Sequence, residues 1–448
     1  MAPTESSSAN RISALLQQLG LERVHVAACM SGDWGELVIK HADCIHSLTV
    51  VAPHLNKGTP DGLNAFQSPA MVIAGDQGAS ARRAHDLAAR FGNGELFELS
   101  DYSSPMWADT IADRTVDVAE ALCDFLARAE SEHDLSTVPL SQGEGEIAGI
   151  YYRIRGTGSP LVLLPLSMAP SQWEPLVSQI SDRYCTITLS GPHLGAISLL
   201  EARGSSGYGD LVVQVVDQAK LTMGETILEV GCGSGALARA LAKRTDLRNP
   251  IVATDINQYL LSEARGLAAK DDLGETIIFE MANAETLSFS DAHFDVAISC
   301  TVLEEGHADR MLSELARITK SEGRVVVMTR AIDMQWWVNL PVPDELRSKL
   351  NGLGSRTGAG VGNDGCADVS LYPRFLRAGL TPLMMGPQFA IYKEGERLNG
   401  VLDRLLALLS TSDARICRDA VRQAKTDGTV FVAEPFHCAV GVKLDRPT

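Results

Sequence analysis

The segment ILEVGCGSGALARAL, residues 227–241, constrains this chain more than any other stretch. A short apolar run ends at Glu229-Val230. Gly231-Cys232-Gly233-Ser234-Gly235 follows, and the chain then resumes with apolar residues at helical spacing. Glycine is placed where the backbone must turn sharply or approach a ligand without a β-carbon intervening. A helix that starts just past such a turn presents free amide N–H groups to whatever lies over it. Strand, glycine turn and helix in this order predict the opening of a parallel α/β unit. The spacing is G-x-G-x-G, not the G-x-G-x-x-G of dinucleotide folds, and a glycine turn by itself names no ligand.

Three companions follow it in order. IVATD (251–255) reads as a second strand ending in Asp255, twenty residues after Gly235. An acid at that place accepts both hydroxyls of a ribose in nucleotide-binding folds. NAETLSF (283–289) then precedes a strand-like FDVAISC (294–300). That run continues into TVLEEGHADRMLSELARITKSEGRVVVMT (301–329), which reads as loop, helix, glycine turn and strand. A helix over 208–220 precedes the first strand. TPLMMGPQFA (381–390) and TVFVAEPFHCAVGVKL (429–444) read as closing strands.

This succession resembles the class I S-adenosylmethionine (SAM)-dependent methyltransferases, over roughly residues 200–445. The resemblance implies a Rossmann-like sheet closed by an antiparallel pair, and SAM as cofactor. It implies that Gly231, Gly233 and Gly235, with Cys232 among them, wrap the methionine and ribose parts of SAM. Glu229 would orient the amino end through the turn. Asp255 would take the ribose hydroxyls, and Ile256 would pack on the adenine. Asn283-Ala284 matches the adenine-side segment, where the family often has Asp; an amide oxygen still meets an exocyclic amine. Tyr208, in GSSGYGD, would close over the cofactor.

The loop from Ser299 to Asp309 would lie beside the transferable methyl. It offers Glu304, Glu305 and His307, and His307 is the best base by intrinsic pKa. A base is needed only when the acceptor atom carries a proton at neutral pH. An insertion over 334–372 is the substrate-side candidate. It holds Trp336, Trp337 and Asn339, then a segment with six glycines at 351–366. Neighbouring tryptophans on a strand point to opposite faces, so one of them is free to wall a pocket.

Residues 1–10 read as a tail. From residue 11 to 195 helices and strands also alternate, with a polar linker at 130–147. LQQLGLERVHVAACMSGDWGELVIKHADCIHSLTVVAP (16–53) resembles the helix, fifth strand, nucleophile elbow and sixth strand of an α/β-hydrolase. PAMVIAGDQG and EALCDFLAR resemble its last strands and final helix. The opening third of that fold follows the linker instead, as YYRIRGTGSPLVLLPLSMAPSQWEPLVSQISDRYCTITLSGPHLG (151–195). The expected architecture is one circularly permuted sheet. It would not be a working hydrolase. The elbow should read G-x-S-x-G, and here Ala27-Ala28-Cys29-Met30-Ser31 has Cys29 at the nucleophile place and neither glycine. Gly78 stands at the acid place and Ser103 at the histidine place. The segment from His54 to Ser68 is too short for a helical lid.

The chain has 448 residues, 45% hydrophobic and 21% charged, which is ordinary for globular domains. Its 39 basic and 56 acidic side chains give a net charge of −17. An acidic surface repels polyphosphate, so nucleic acid and anionic membranes are not expected partners. No apolar run approaches the ~20 residues that span a bilayer. Nine scattered cysteines without C-x-x-C suit a cytoplasmic chain with reduced core thiols and no metal site. The sequence thus predicts an α/β chain of two domains, 11–195 and 196–448. It predicts a methyltransferase acting on a small molecule, neutral or cationic, through O-, N-, S- or C-methylation, with a homodimer possible. The alternatives are SAM-binding decarboxylase or cyclase chemistry, a SAM-binding regulator without turnover, or a bifunctional enzyme that uses Cys29.

Overall fold

The computed structural model describes residues 7–54, 62–103, 110–132, 135, 140–166, 170–244, 248–354, 361, 362 and 364–444. It divides into two compact units between Leu199 and Leu200, inside the helix Gly195–Gly204. The sequence reading put the boundary at 195/196.

The first unit holds strands β1 (Val24–Met30), β2 (Ile45–His54), β3 (Ala70–Gly75), β4 (Gly94–Leu99), β5 (Gly143–Ile147), β6 (Ile150–Arg155), β7 (Ser159–Leu163) and β8 (Tyr184–Ser190). They form one sheet in the order β4-β3-β2-β1-β7-β8-β6-β5. The joint between the two chain segments is the parallel pair β1–β7, with Val26 opposite Val162. The apolar run of β1 is continuous because both faces are covered. Val26 and Ala28 enter one buried cluster with Ile12 and Leu37, while Ala27 and Cys29 enter another with Phe125 and Trp173.

Three expectations change here. The helix Ser8–Gln18 starts inside the supposed tail, capped by Ser7 Oγ, which accepts from Asn10 N. The supposed linker is ordered at both ends: the helix Thr115–Glu132 runs into it, and β5 forms its last five residues against β6. GEG is poor strand material by itself, so the pairing decides. The strand β4 has no counterpart in the sequence reading. Among the described residues its one strand neighbour is β3, and its burial is so slight that GELFEL carries no clear hydrophobic signal.

The second unit holds β9 (Ile227–Val230), β10 (Ile251–Asp255), β11 (Ile277–Met281), β12 (Phe294–Cys300), β13 (Thr319–Arg330), β14 (Trp337–Asn339), β15 (Leu380–Tyr392) and β16 (Phe431–Lys443). The sheet order is β11-β10-β9-β12-β13-β16, with β14 and β15 also on β16. Strands β9 to β13 run parallel, and β16 is antiparallel to its neighbours. Register aligns the carboxyl ends: Val230 lies opposite both Thr254 and Ser299. The glycine turn, Asp255 and Cys300 therefore emerge at one level, where ligands bind in open parallel sheets. The expected glycine turn at SEGR is instead a bulge within β13. The partner of Thr319 is Phe294 and that of Arg324 is Val296, so 320–323 bow out with Glu322 at φ +60°.

Candidate active site

The glycine turn takes its shape from its three glycines. Gly231, Gly233 and Gly235 have φ of +77°, +54° and +74°. A β-carbon on Gly231 would lie 2.1 Å from Val302 Cγ2. The amides of Gly231 and Cys232 both donate to Thr254 O, at 2.7 and 2.9 Å, fastening the turn to β10. Cys232 is buried, and burial pushes its thiol well above the usual range, so it packs rather than reacts.

Asp255 reaches back to the turn. Its Oδ2 accepts from Gly233 N and its Oδ1 from Asn257 N, both at 2.9 Å. Burial raises its pKa despite these bonds. Glu229 lies beneath the turn and is 5% exposed. It takes a backbone hydrogen bond from Ala238, in the first turn of the following helix, yet Oε2 has no partner. Burial pushes its pKa to about 8. A buried carboxylate with a spare oxygen is costly unless a ligand or water meets it.

A cavity of about 500 Å³ opens beside these groups, with Glu229, Gly231, Gly233, Tyr208, Cys300 and Thr301 among its walls. Tyr208 is buried, bonds Thr301 Oγ1 through its hydroxyl at 3.3 Å, and meets Phe436 at a ring separation of 5.3 Å. Ser299 is buried with an unpartnered Oγ. Ile256 is 68% exposed, an apolar side chain left open where the resemblance sets the adenine. Asn283 is exposed and Ala284 half-buried. Asn283 Oδ1 accepts from Glu285 N at 2.9 Å, so the amide oxygen already holds its own loop.

The proposed acid–base residues do not line this cavity. Glu304 is 2% exposed and pairs with Arg330, accepting from its backbone N at 2.6 Å and from its Nε. Both carboxylate oxygens are engaged, so Glu304 anchors the loop after β12 to the end of β13. His307 is the cap residue of the helix Ala308–Ile318; its N donates to Glu285 Oε1 at 2.9 Å, and its Nδ1 is buried without a partner. The two tryptophans separate as strand geometry requires. Trp336 is core, against Gly354, and Trp337 is 54% exposed. Asn339 Nδ2 donates to Thr429 O at 2.7 Å, a structural bond. None of these three is in the cavity wall. Much of the 351–366 segment lies outside the described residues.

Two contributors escaped the sequence reading. Glu201 accepts from Ser234 Oγ at 2.6 Å and from Arg239 at 2.5 Å, tying the turn and its helix to the helix Gly195–Gly204. Arg203 lines the cavity with its Cζ 3.8 Å from the Tyr208 ring centroid. Both precede the motif by about thirty residues and carry no spacing signal.

In the first unit Cys29 is buried, donates to Ala52 O at 3.3 Å and keeps a negative φ, so the strain of a nucleophile elbow is missing. Asp76 accepts from the amides of Asp101 and Tyr102 and so fastens a turn. A Ser47–His25–Glu130 chain, at 2.7 and 3.1 Å, imitates a triad. It sits at the amino ends of β1 and β2 with Ser47 and His25 fully buried, and burial pushes His25 down to about 4. It is a core polar network.

The second unit is similar to class I SAM-dependent methyltransferase domains, and the similarity centres on the stretch from β9 to β13. The family model described as "Methyltransferase domain" matches residues 227–323. The ubiquinone/menaquinone biosynthesis C-methyltransferase UbiE of Methylococcus capsulatus is 32% identical over 114 residues, 25% of this chain and 46% of the relative. The UbiE of Bordetella avium is 32% identical over 114 residues, 44% of its length. The chain thus spans less than half of these relatives. Among solved structures, YcgJ of Bacillus subtilis aligns with 53% of this chain and 100% of its own, at 16% identity and a TM-score of 0.35. Geranyl diphosphate C-methyltransferase of Streptomyces coelicolor aligns with 53% of this chain and 79% of its own, at 14% identity and 0.33.

Proposed function

We propose that the chain is a SAM-dependent methyltransferase acting on a small molecule. The observation that carries this is the group formed by Asp255, the three positive-φ glycines and the orphaned Glu229 oxygen beside one cavity. A carboxylate at the end of β10 suits the ribose diol, and the buried Glu229 suits the amino end. Bound SAM supplies an electrophilic methyl on a sulfonium sulfur. The chain binds it, orients it and walls off water, and orientation supplies much of the rate. Where the acceptor carries a proton a base is needed; His307, the candidate from the sequence, has a buried and unpartnered Nδ1 on the loop after β12 and lies outside the cavity wall. The match spans less than half of the relatives, so it does not carry their carbon acceptor to this chain.

The first unit we read as a permuted hydrolase-like scaffold without hydrolase activity. What supports this is the single sheet in which β5–β8, resembling that fold's opening third, continue from β1–β4. The unstrained backbone at Cys29 supports the loss of activity. Seven buried thiols among nine free cysteines fit the reducing cytoplasm. Among the described residues no helix is long and apolar enough to cross a membrane.

The test is calorimetric binding of the demethylated cofactor S-adenosylhomocysteine, then release of that product from SAM in the presence of pooled metabolites. A chain that binds it but turns over with no pool would be a regulator; one that binds neither form would refute the reading.

A further inference from the structure

The chain carries a net charge of −17, yet the second unit has a basic groove. It lies between the helices Gly395–Ala407 and Thr411–Thr426, encloses about 440 Å³ and belongs to a different cavity from the cofactor site. Its ionisable lining groups are Arg415, Arg418, Arg422 and Lys425 against Asp403 and Asp419, four cations and two carboxylates, a surplus of two. Arg422 pairs with Asp419, and Lys425 donates to Asn399 Oδ1 at 2.6 Å. The exposed guanidiniums of Arg415 and Arg418 make no hydrogen bond or ion pair among the described residues. The floor of the groove is apolar, with Leu402 and Leu406 buried and Val421 half-buried.

The first unit carries the opposite pattern on the helix Thr115–Glu132. Asp117, Glu120 and Asp124 are exposed on it, three and then four residues apart. Arg415, Arg418 and Arg422 repeat at the same two spacings on their own helix. Residues so spaced share one helix face and climb about 10 Å over seven residues. Val116, 56% exposed, lies on the same face as the three acids. Arg114 pairs with Asp117 at 3.3 Å, and Arg183 reaches the neighbouring Cys123. With both of these counted, the three acids still leave an excess of one negative charge. Arg128, farther along the helix, is paired with Glu95.

We infer that the chain binds a second copy of itself, the acidic face of the helix Thr115–Glu132 in one copy seating in the basic groove of the next. Charge complementarity selects this occupant. The acids and the arginines repeat at one spacing, so successive pairs meet along the two helices, and Val116 meets the floor of Leu402 and Leu406. Exposed ion pairs each add little affinity, but complementary rows of them set orientation and exclude wrong partners. The apolar contact between the rows supplies the rest. Each copy carries one acidic face and one groove, so the contact is heterologous. None of this rests on the methyltransferase reading.

The experiment is sedimentation equilibrium and light scattering on the full chain, with charge reversals on either side. Wild type should self-associate as its concentration rises to about 0.1 mM. Arg415→Glu with Arg418→Glu, and separately Asp117→Lys with Glu120→Lys, should each weaken association about tenfold or more. An equimolar mixture of the two double variants pairs each reversed face with its reversed complement. It should associate within about threefold of wild type, and so should one chain carrying all four changes. Should a reversal fail to fold, Arg415→Gln with Arg418→Gln removes charge only and should still weaken association about threefold or more. A wild-type chain that stays monomeric overturns the proposal; if its groove then binds inorganic tripolyphosphate or an acidic helical peptide, that is the occupant instead. Association that ignores the arginine or the acid substitutions uses another face and overturns it too. So does loss in both double variants without recovery in their mixture.

Discussion

Asp255 and Gly233 are joined by a 2.9 Å hydrogen bond from the Gly233 amide to Asp255 Oδ2, across the carboxyl ends of β9 and β10. The same carboxylate holds Asn257 N through its other oxygen. The acid fixes the turn, and in the function proposed above it also meets the ribose.

Removing it should affect both. Hydrogen bonds to a charged group contribute about 1.5–3 kcal/mol each, so Asp255→Ala should weaken S-adenosylhomocysteine binding by about 10- to 150-fold. Asp255→Asn keeps an acceptor for Gly233 N and should retain more of the melting temperature than of the affinity. Calorimetry and a thermal melt on both variants decide this. Wild-type affinity in Asp255→Ala would remove the ribose assignment.

Glu229 gives a pH signature. Its folded-state pKa of about 8 lies above the ordinary ~4.3, so the folded chain holds the proton more tightly than the unfolded chain. The stability this contributes is fully present below pH ~4.3 and is lost as pH rises through about 8. Glu229→Gln is neutral throughout and should melt progressively higher than wild type as pH rises toward 9. At neutral pH, ligands with an amino end should drive proton release from wild type and not from Glu229→Gln. Calorimetry in buffers of different ionisation enthalpy reads this directly; equal proton release in the two proteins would clear Glu229 of the role.

Much of this site was legible in the sequence because its parts are periodic and close together. The glycine turn, Glu229 and Asp255 sit at strand ends whose apolar runs fix the register. The loop residues were misread for a physical reason. Glu304 has the right chemistry near the right place, but its partner Arg330 lies at the end of another strand, and no spacing rule links them. The tryptophan pair divided as alternation demands, yet the inward one entered core rather than a pocket. Arg203 and Glu201 act from a helix ahead of the motif, visible only once the chain has folded. In the first unit, β4 lacked a buried face and left no pattern.

The glycines of the turn should differ in their tolerance. Gly231→Ala meets Val302 Cγ2 at 2.1 Å and must hold φ near +77°. The left-handed backbone costs about 1–2 kcal/mol and overpacking about 1–3 more. Gly233→Ala has the same backbone cost, but its closest neighbour is Leu200 Cδ1 at 3.3 Å. Gly231→Ala should therefore melt below Gly233→Ala, and adding Val302→Ala should restore part of the difference. Equal melting temperatures would contradict the contact.

Cys29 should be silent. It is buried and its thiol is bonded to Ala52 O. A thiol-reactive ester probe should not label the native chain at Cys29, and Cys29→Ala should leave release of S-adenosylhomocysteine from SAM unchanged. Labelling that disappears in Cys29→Ala would revive the bifunctional reading.

The last expectation concerns how much of the chain the cofactor site needs. The two buried clusters of the second unit draw on residues between Tyr208 and Val440. Those of the first unit draw on residues between Ala9 and Leu194. Among the described residues no buried cluster draws on both sets, so residues 195–448 should fold by themselves. The cut must keep the helix Gly195–Gly204, because Glu201 holds Ser234 and Arg239 there and Arg203 enters the cavity from it. A fragment of residues 195–448 should bind S-adenosylhomocysteine within about threefold of the full chain. A fragment of residues 205–448 loses the Glu201 bonds, one of them to a cation and worth about 1.5–3 kcal/mol, and should bind at least about tenfold more weakly. A 195–448 fragment that melts cooperatively yet binds nothing would mean that the first unit helps to build the site.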